Sequence, residues 1–142
     1  MNNIWYQEPP LASLNQYRAS GLGEVLEIKI VGRGANWLLA EMPVKEKHKQ
    51  PFGIVHGGAT AALAETVASI AGWLCIDPKM KASVGLELNI NHLKSVTQGT
   101  LFAKGTAVHV GGTTQVWQID IFNSEFKQVS TSRLTVMVID RK

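Results

Sequence analysis

From Val25 to Val31 the chain alternates, with Leu26, Ile28 and Ile30 on one side and Glu27 and Lys29 on the other. That period of two predicts a half-buried strand. Gly32 to Asn36 reads as a turn, and Trp37 to Met42 as a returning strand that completes a hairpin. The pattern then changes. From Gly57 to Leu74 nearly every position is apolar or small, and the only charge is Glu65. A helix that is apolar on almost all sides is a buried helix, and these residues predict one long buried helix. Beyond Asp77-Pro78 alternation resumes in four segments, Ser83–Leu93, Thr100–Val110, Thr114–Phe122 and Thr131–Ile139, separated by turn residues such as Gly111-Gly112 and Asn123-Ser124. In the first of these, Val84, Leu86, Leu88 and Ile90 are expected to share a face opposite Glu87 and Asn89. The short connections predict antiparallel pairing and a four-strand meander.

The expected architecture is α+β: a curved antiparallel sheet of five to six strands wrapped around one long helix. A sheet that wraps the helix, a second subunit packed on its far side, or both would cover it. The 142 residues suit a single domain, 1–142, with an N-terminal extension, 1–22, that holds a short helix at Leu11–Tyr17.

Composition narrows the function classes. At 18% charged residues and a net charge of +3, no basic block is long enough to propose a nucleic-acid groove. The densest run, Lys45-Glu-Lys-His-Lys49, reads as a solvated loop, or alternatively as an attractor for an anionic ligand. The single cysteine, Cys75, excludes an internal disulfide and a cysteine-based zinc site, and reads as a core thiol. Neither a signal peptide nor a membrane span is expected, and a cytoplasmic location is the default.

Glu65 is the residue that demands explanation, because a carboxylate within a buried helix is costly unless it has a function. The helix opens on Gly57-Gly58, whose backbone N–H groups carry no shielding side chain and can hold a carbonyl oxygen as it becomes an oxyanion. Gln50 and His56 lie in the preceding loop and offer donors to the same oxygen, while Ser69 lies one turn beyond Glu65. Gly57 and Glu65 stand about 12 Å apart along one helix, too far to act on one carbonyl. Two helices packed antiparallel across a two-fold axis would bring Gly57 of one chain to Glu65 of the other, so the residues suggest a dimer with composite sites. Taken alone, each residue has a plainer reading as packing or loop structure. Their combination is more specific.

The string Gln50-Pro-Phe-Gly-Ile-Val-His56-Gly-Gly, with Ala-Leu-Ala-Glu65 and Ser69, resembles the motif of the hotdog-fold acyl-CoA thioesterases of the PaaI-like superfamily. It is most similar to the aryl-CoA branch that includes the Arthrobacter-type 4-hydroxybenzoyl-CoA and 1,4-dihydroxy-2-naphthoyl-CoA thioesterases. The similarity runs on through Val84–His92, Gln115–Ile121 and Ser132–Thr135. It implies that Glu65 is the catalytic carboxylate, that Gly57 supplies the oxyanion N–H, that Gln50 and His56 orient or polarise the carbonyl, and that Ser69 assists hydrolysis. It also implies contacts to coenzyme A or the acyl group from Val84, Asn91, His92 and Lys94, and from His109, Gly111, Gly112 and Thr113. Lys94 stands where relatives commonly carry Arg, so it would meet a phosphate as a point charge. No cofactor is expected beyond the coenzyme A of the substrate, nor any metal. Homodimers, associating into tetramers, are expected, without nucleic-acid or membrane partners. A dehydratase or hydratase on the same fold, and a non-catalytic acyl-CoA-binding module, are the alternatives.

Overall fold

The computed structural model describes residues 3–17 and 20–142. The elements in chain order are α1 (Leu11–Tyr17), α2 (Leu22–Val25), β1 (Lys29–Arg33), β2 (Trp37–Pro43), a 3-10 turn (Glu46–His48), α3 (Gly57–Leu74), β3 (Lys81–His92), β4 (Thr100–Val110), β5 (Thr114–Phe122) and β6 (Gln128–Asp140). All strands join one antiparallel sheet in the order β1-β2-β4-β5-β6-β3. The sheet curls around α3, which packs against β2, β3, β4, β5 and β6. The long buried helix and the wrapped sheet are as the sequence predicts.

Three expectations need correction. The alternation from Val25 is not all strand: Leu22–Val25 forms a helical turn, Glu27 takes a left-handed φ of 60°, and the strand begins only at Lys29. Leu26 is buried from that turn rather than from a strand face. The last four strands are not a simple meander. β3 pairs with β6, and the seven-residue connection 93–99 carries the chain across the sheet before the β4-β5-β6 meander begins. Finally, the register of β3 shifts between Gly85 and Glu87. A bulge reverses the side-chain alternation beyond it. Val84 therefore lies opposite Met137, on the same face as Glu87 opposite Thr135, while Leu88 sits on the other face opposite Leu134.

The core forms where α3 meets the concave face. Leu63, Val67, Ile70 and Leu74 from the helix are fully or almost fully buried against Leu38, Ala40, Leu101, Trp117, Ile119 and Leu134. Each such aliphatic side chain contributes roughly 1.5–3 kcal/mol of transfer free energy. Gly105 at the centre of β4 lets the helix ride close, since Ala68 Cα lies 3.9 Å from the place a Cβ there would occupy. One stripe of α3 escapes the sheet: Gly58 is exposed, and Ala62, Glu65, Ser69 and Trp73 are only half-buried.

The far end of α3 is closed by the N-terminal segment. Tyr6 and Gln7 both donate backbone N–H groups to Leu74 O at 2.9 Å, and Gln7 Nε2 donates to Trp73 O at 2.8 Å. These bonds satisfy carbonyls that a helix terminus leaves open. Trp5 stacks on Trp117 with ring centroids 6.2 Å apart. Trp117 Nε1 donates to Gln115 Oε1 at 2.9 Å, and Gln115 Nε2 donates to Gly72 O at 3.1 Å. A Cβ at Gly72 would come within 2.5 Å of Gln115 Oε1 and push the Gln115 amide out of this arrangement. Cys75 ends the helix, and burial pushes its thiol up to about 12, so it is not a nucleophile at neutral pH. Among the described residues no helix is long and apolar enough to cross a membrane.

Each lysine of the run Lys45–Lys49 has a carboxylate partner. Lys45 and Lys47 both pair with Glu27, at 2.8 and 2.7 Å, and Lys49 pairs with Glu46 at 3.0 Å. The hydrogen bonds from Lys45 and Lys47 lower the Glu27 carboxyl from 4.5 to about 2.

Two predictions test this packing. Gln115→Leu keeps the volume but leaves the Trp117 indole N–H without its acceptor, so unfolding free energy from urea titration should fall by about 1–3 kcal/mol. A carboxyl depressed on folding favours the native state above its unfolded value and loses that effect as acid protonates it. The difference in urea midpoint between the protein and Glu27→Gln should therefore persist above pH 4.5, shrink below it, and vanish near pH 2.

Candidate active site

The loop before α3 is tightly folded. Gly53 adopts a left-handed φ of 86°, which glycine tolerates, and lets the chain turn so that Gln50 N donates to Ile54 O at 2.9 Å. Val55 N donates to Val96 O at 2.9 Å, and His56 N to His48 O at 2.8 Å. His56 is the helix N-cap: its Nδ1 accepts from Gly58 N at 2.8 Å. An imidazole nitrogen that accepts is unprotonated, so the ring is neutral and carries its proton on Nε2.

This cap leaves one amide over. Ala59 N and Thr60 N both donate to His56 O, and Gly58 N is taken by the ring, while Gly57 N–H makes no hydrogen bond to the described residues. It lies at a cavity of about 340 Å³ lined by Gln50, Gly57, Thr60, His92, Lys94 and Leu101, among others. The Gln50 side-chain oxygen accepts from Phe52 N, which holds the amide so that its NH₂ remains available as a donor. His92 Nε2 lies 3.0 Å from where a Cβ on Gly57 would be, so the ring flanks the open amide. Lys94 stands in the cavity wall without a carboxylate partner among the described residues.

Glu65 is elsewhere. It does not line this cavity, and its carboxylate lies against β3, with Oε2 2.9 Å from the position a Cβ would take on Gly85. Glu65 is half-buried and makes no ion pair or hydrogen bond through its carboxylate to the described residues. Ser69 shares its helix stripe but does not hydrogen-bond to it.

The predicted residues thus fall into two groups. Gln50, Gly57, His92 and Lys94 meet at the cavity, with His56 capping the helix beside it. Glu65 and Val84 belong to the other end of β3, and the β4-β5 turn lies there too, because Thr114 pairs with Met137, which pairs with Val84. In that turn His109 covers Gly111, Gly111 N donates to Thr114 O at 2.9 Å, and Thr113 O accepts from Val138 N at 2.8 Å. Nothing lies within 4 Å of a side chain built at Gly112. Asn91 joins neither group; it lines a polar groove on the outer face with Glu87, Asn89 and Arg133.

Two site residues escape the sequence reading. Thr60 is one turn into α3 from Gly57 and reaches the cavity, a relation that helix spacing alone would give. Gly85 was signalled by its position inside a strand of apolar alternation, where glycine marks a bulge or a close approach.

The chain matches the family model described as Thioesterase superfamily over residues 52–130. It is 43% identical over 137 residues to a putative esterase of Haemophilus influenzae, covering 96% of this chain and 99% of the relative. It is 39% identical to the 1,4-dihydroxy-2-naphthoyl-CoA hydrolase of Escherichia coli, covering 96% of this chain and 99% of that one. Among solved structures, a mutant thioesterase from Pseudomonas aeruginosa superposes with a TM-score of 0.96 at 37% identity, covering 98% of this chain and all of that one. An unpartnered amide at a helix start, a wrapped sheet and these relatives agree, and the chain belongs to the thioesterase superfamily, as a thioester hydrolase of hotdog fold.

Proposed function

We propose that the protein hydrolyses aryl- or other bulky acyl-CoA thioesters in homodimers whose two active sites each draw on both subunits. The reading rests above all on the open N–H of Gly57, a residue of the cavity wall, in a cavity that its own Glu65 does not line. Such an amide suits an oxyanion, because it is fixed in place before charge develops. The relative that acts on a naphthoyl-CoA supports an aryl substrate.

The sheet favours the pairing. β3 is an edge strand, and along it Val84 and Leu86 are 45% and 54% exposed, an apolar edge that a lone subunit would leave unprotected. The Gly57 cavity lies at the His92 end of β3, and Glu65 lies near Gly85. The strand spans about 26 Å from Val84 to His92. A second β3 docked antiparallel about a two-fold near Leu88 exchanges these ends. It carries the partner's carboxylate toward the cavity and covers the small-residue stripe of α3. Two such dimers would form the tetramer.

In that dimer the thioester carbonyl oxygen accepts hydrogen bonds from Gly57 N–H and the Gln50 amide. The ionised Glu65 of the other subunit attacks the carbonyl carbon, or takes a proton from a water that does. The tetrahedral oxyanion collapses, the C–S bond breaks, and coenzyme A leaves as a thiolate, which needs no strong acid. If an acyl-carboxylate anhydride forms, water cleaves it and restores Glu65. Lys94 meets a phosphate of coenzyme A at the cavity mouth, and Ser69 holds the water on the stripe it shares with Glu65. A cytoplasmic location accords with this substrate.

Glu65→Gln should lower kcat in a thiol-release assay by about 10³ while circular dichroism stays native. Refolding Glu65→Gln together with Gln50→Ala should restore activity, because half of the mixed dimers' sites then hold both intact groups; no recovery sinks the composite site. Gly85→Ala should lower kcat by roughly 10- to 100-fold through a displaced carboxylate. Its thermal midpoint should be unchanged or raised, since glycine weakens a strand interior.

A further inference from the structure

Among the groups the mechanism leaves unused, His48 is the most completely engaged. It sits in the 3-10 turn Glu46–His48 and is 1% exposed. Its Nδ1 accepts from Lys45 N at 3.1 Å, and its Nε2 lies 2.7 Å from Leu26 O. Since Nδ1 accepts an N–H, the ring is neutral, and Nε2 donates its proton to the Leu26 carbonyl. Both nitrogens are thus spent on backbone groups from two separate segments.

The receiving segment is itself hydrogen-bonded and anchored. Leu26 N donates to Leu22 O at 2.9 Å and Ile28 N to Gly23 O at 2.8 Å, and the Leu26 side chain is buried in the core. On the other side, the His48 carbonyl accepts from His56 N at 2.8 Å. One residue therefore joins the Leu26 turn, through its ring, to the helix N-cap, through its carbonyl. The loop between, Lys49 to Val55, carries Gln50 and leads directly to Gly57.

We propose that His48 is a positioning residue for thioester hydrolysis: its neutral imidazole clamps the carbonyl-binding loop to the Leu26 turn and so fixes where Gln50 and the Gly57 amide point. It touches no substrate and acts only through the loop. The inference rests on the reading that this loop holds the thioester carbonyl. A donor displaced by about 1 Å can cost as much as 10²-fold in rate, so a clamp at the loop's base reaches the chemistry.

The test uses the full-length protein, an aryl-CoA such as benzoyl-CoA and a thiol-release readout. His48→Ala should lower kcat by roughly 10- to 100-fold, with KM changed less than about 3-fold, because the donors it misplaces act mainly on the transition state. His48→Gln, whose side-chain N–H can still reach Leu26 O, should recover most of kcat; His48→Asn, which keeps only an acceptor for Lys45 N, should not. Adding His48→Ala to Gln50→Ala should cost clearly less than adding it to the unaltered protein, since both act through one loop. Full additivity, or a kcat per folded molecule unchanged in His48→Ala, overturns the proposal. Should His48→Ala not fold, the ranking of Gln above Asn in kcat decides it, and equal values overturn it. Gln50→Ala alone in the same assay separates the two ideas: if it remains fully active, the carbonyl-site reading fails, whatever His48 does.

Discussion

A helix has one end at which its backbone donors are free, and this fold is arranged to spend all but one of them. The His56 cap takes the amide of Gly58, the His56 carbonyl takes those of Ala59 and Thr60, and the amide of Gly57, in the cavity wall, is left over. That requirement constrains much else. The helix must be buried deeply enough to be held still, so the sheet wraps it. It must keep its first turn open, so the loop before it is folded on itself rather than across the opening. The glycines at 57 and 58 then follow from space: a Cβ at Gly57 would press His92, and one at Gly58 would meet the His56 ring at 2.9 Å.

The carboxylate obeys a complementary constraint. It rides on the one helix stripe the sheet does not cover, and β3 makes room for it by giving up a side chain at Gly85 just where the register slips. The slip also turns Val84 outward, so a single irregularity both seats Glu65 and shapes the apolar edge. In the lone subunit the Gly57 amide and the Glu65 carboxylate both go without a hydrogen-bond partner among the described residues.

Much of this was legible in the chain. Eighteen residues of nearly unbroken small and apolar character, Gly57 to Leu74, announced a buried helix at the right boundaries. The glycine pair marked the helix start that carries the open amide. What was not legible came from long-range pairing and from local irregularity. Alternation places β3 in a sheet but does not name its neighbour, so its pairing with β6 rather than β4 was hidden. The run from Val25 alternates as a strand would, yet Glu27 turns left-handed to meet two lysines that arrive from eighteen and twenty residues away. A composition-based view of Lys45–Lys49 saw only charge, because the carboxylate that pairs with Lys45 and Lys47, and the carbonyl that meets the His48 Nε2, lie on another segment. Asn91 and His92 looked alike beside Lys94, but neighbours in a strand face opposite ways, and only one of them reaches the cavity.

The closing of α3 by residues 4–7 bears on the order in which the molecule is assembled. Those residues leave the ribosome before the carbonyls and the Trp117 ring they dock upon, which follow 66 to more than a hundred residues later. Until then the leading segment, with its indole, has nothing native to rest against, and contacts of such sequence separation form slowly. The segment is therefore made well before it can take its place, and its indole stacks only after β5 has arrived.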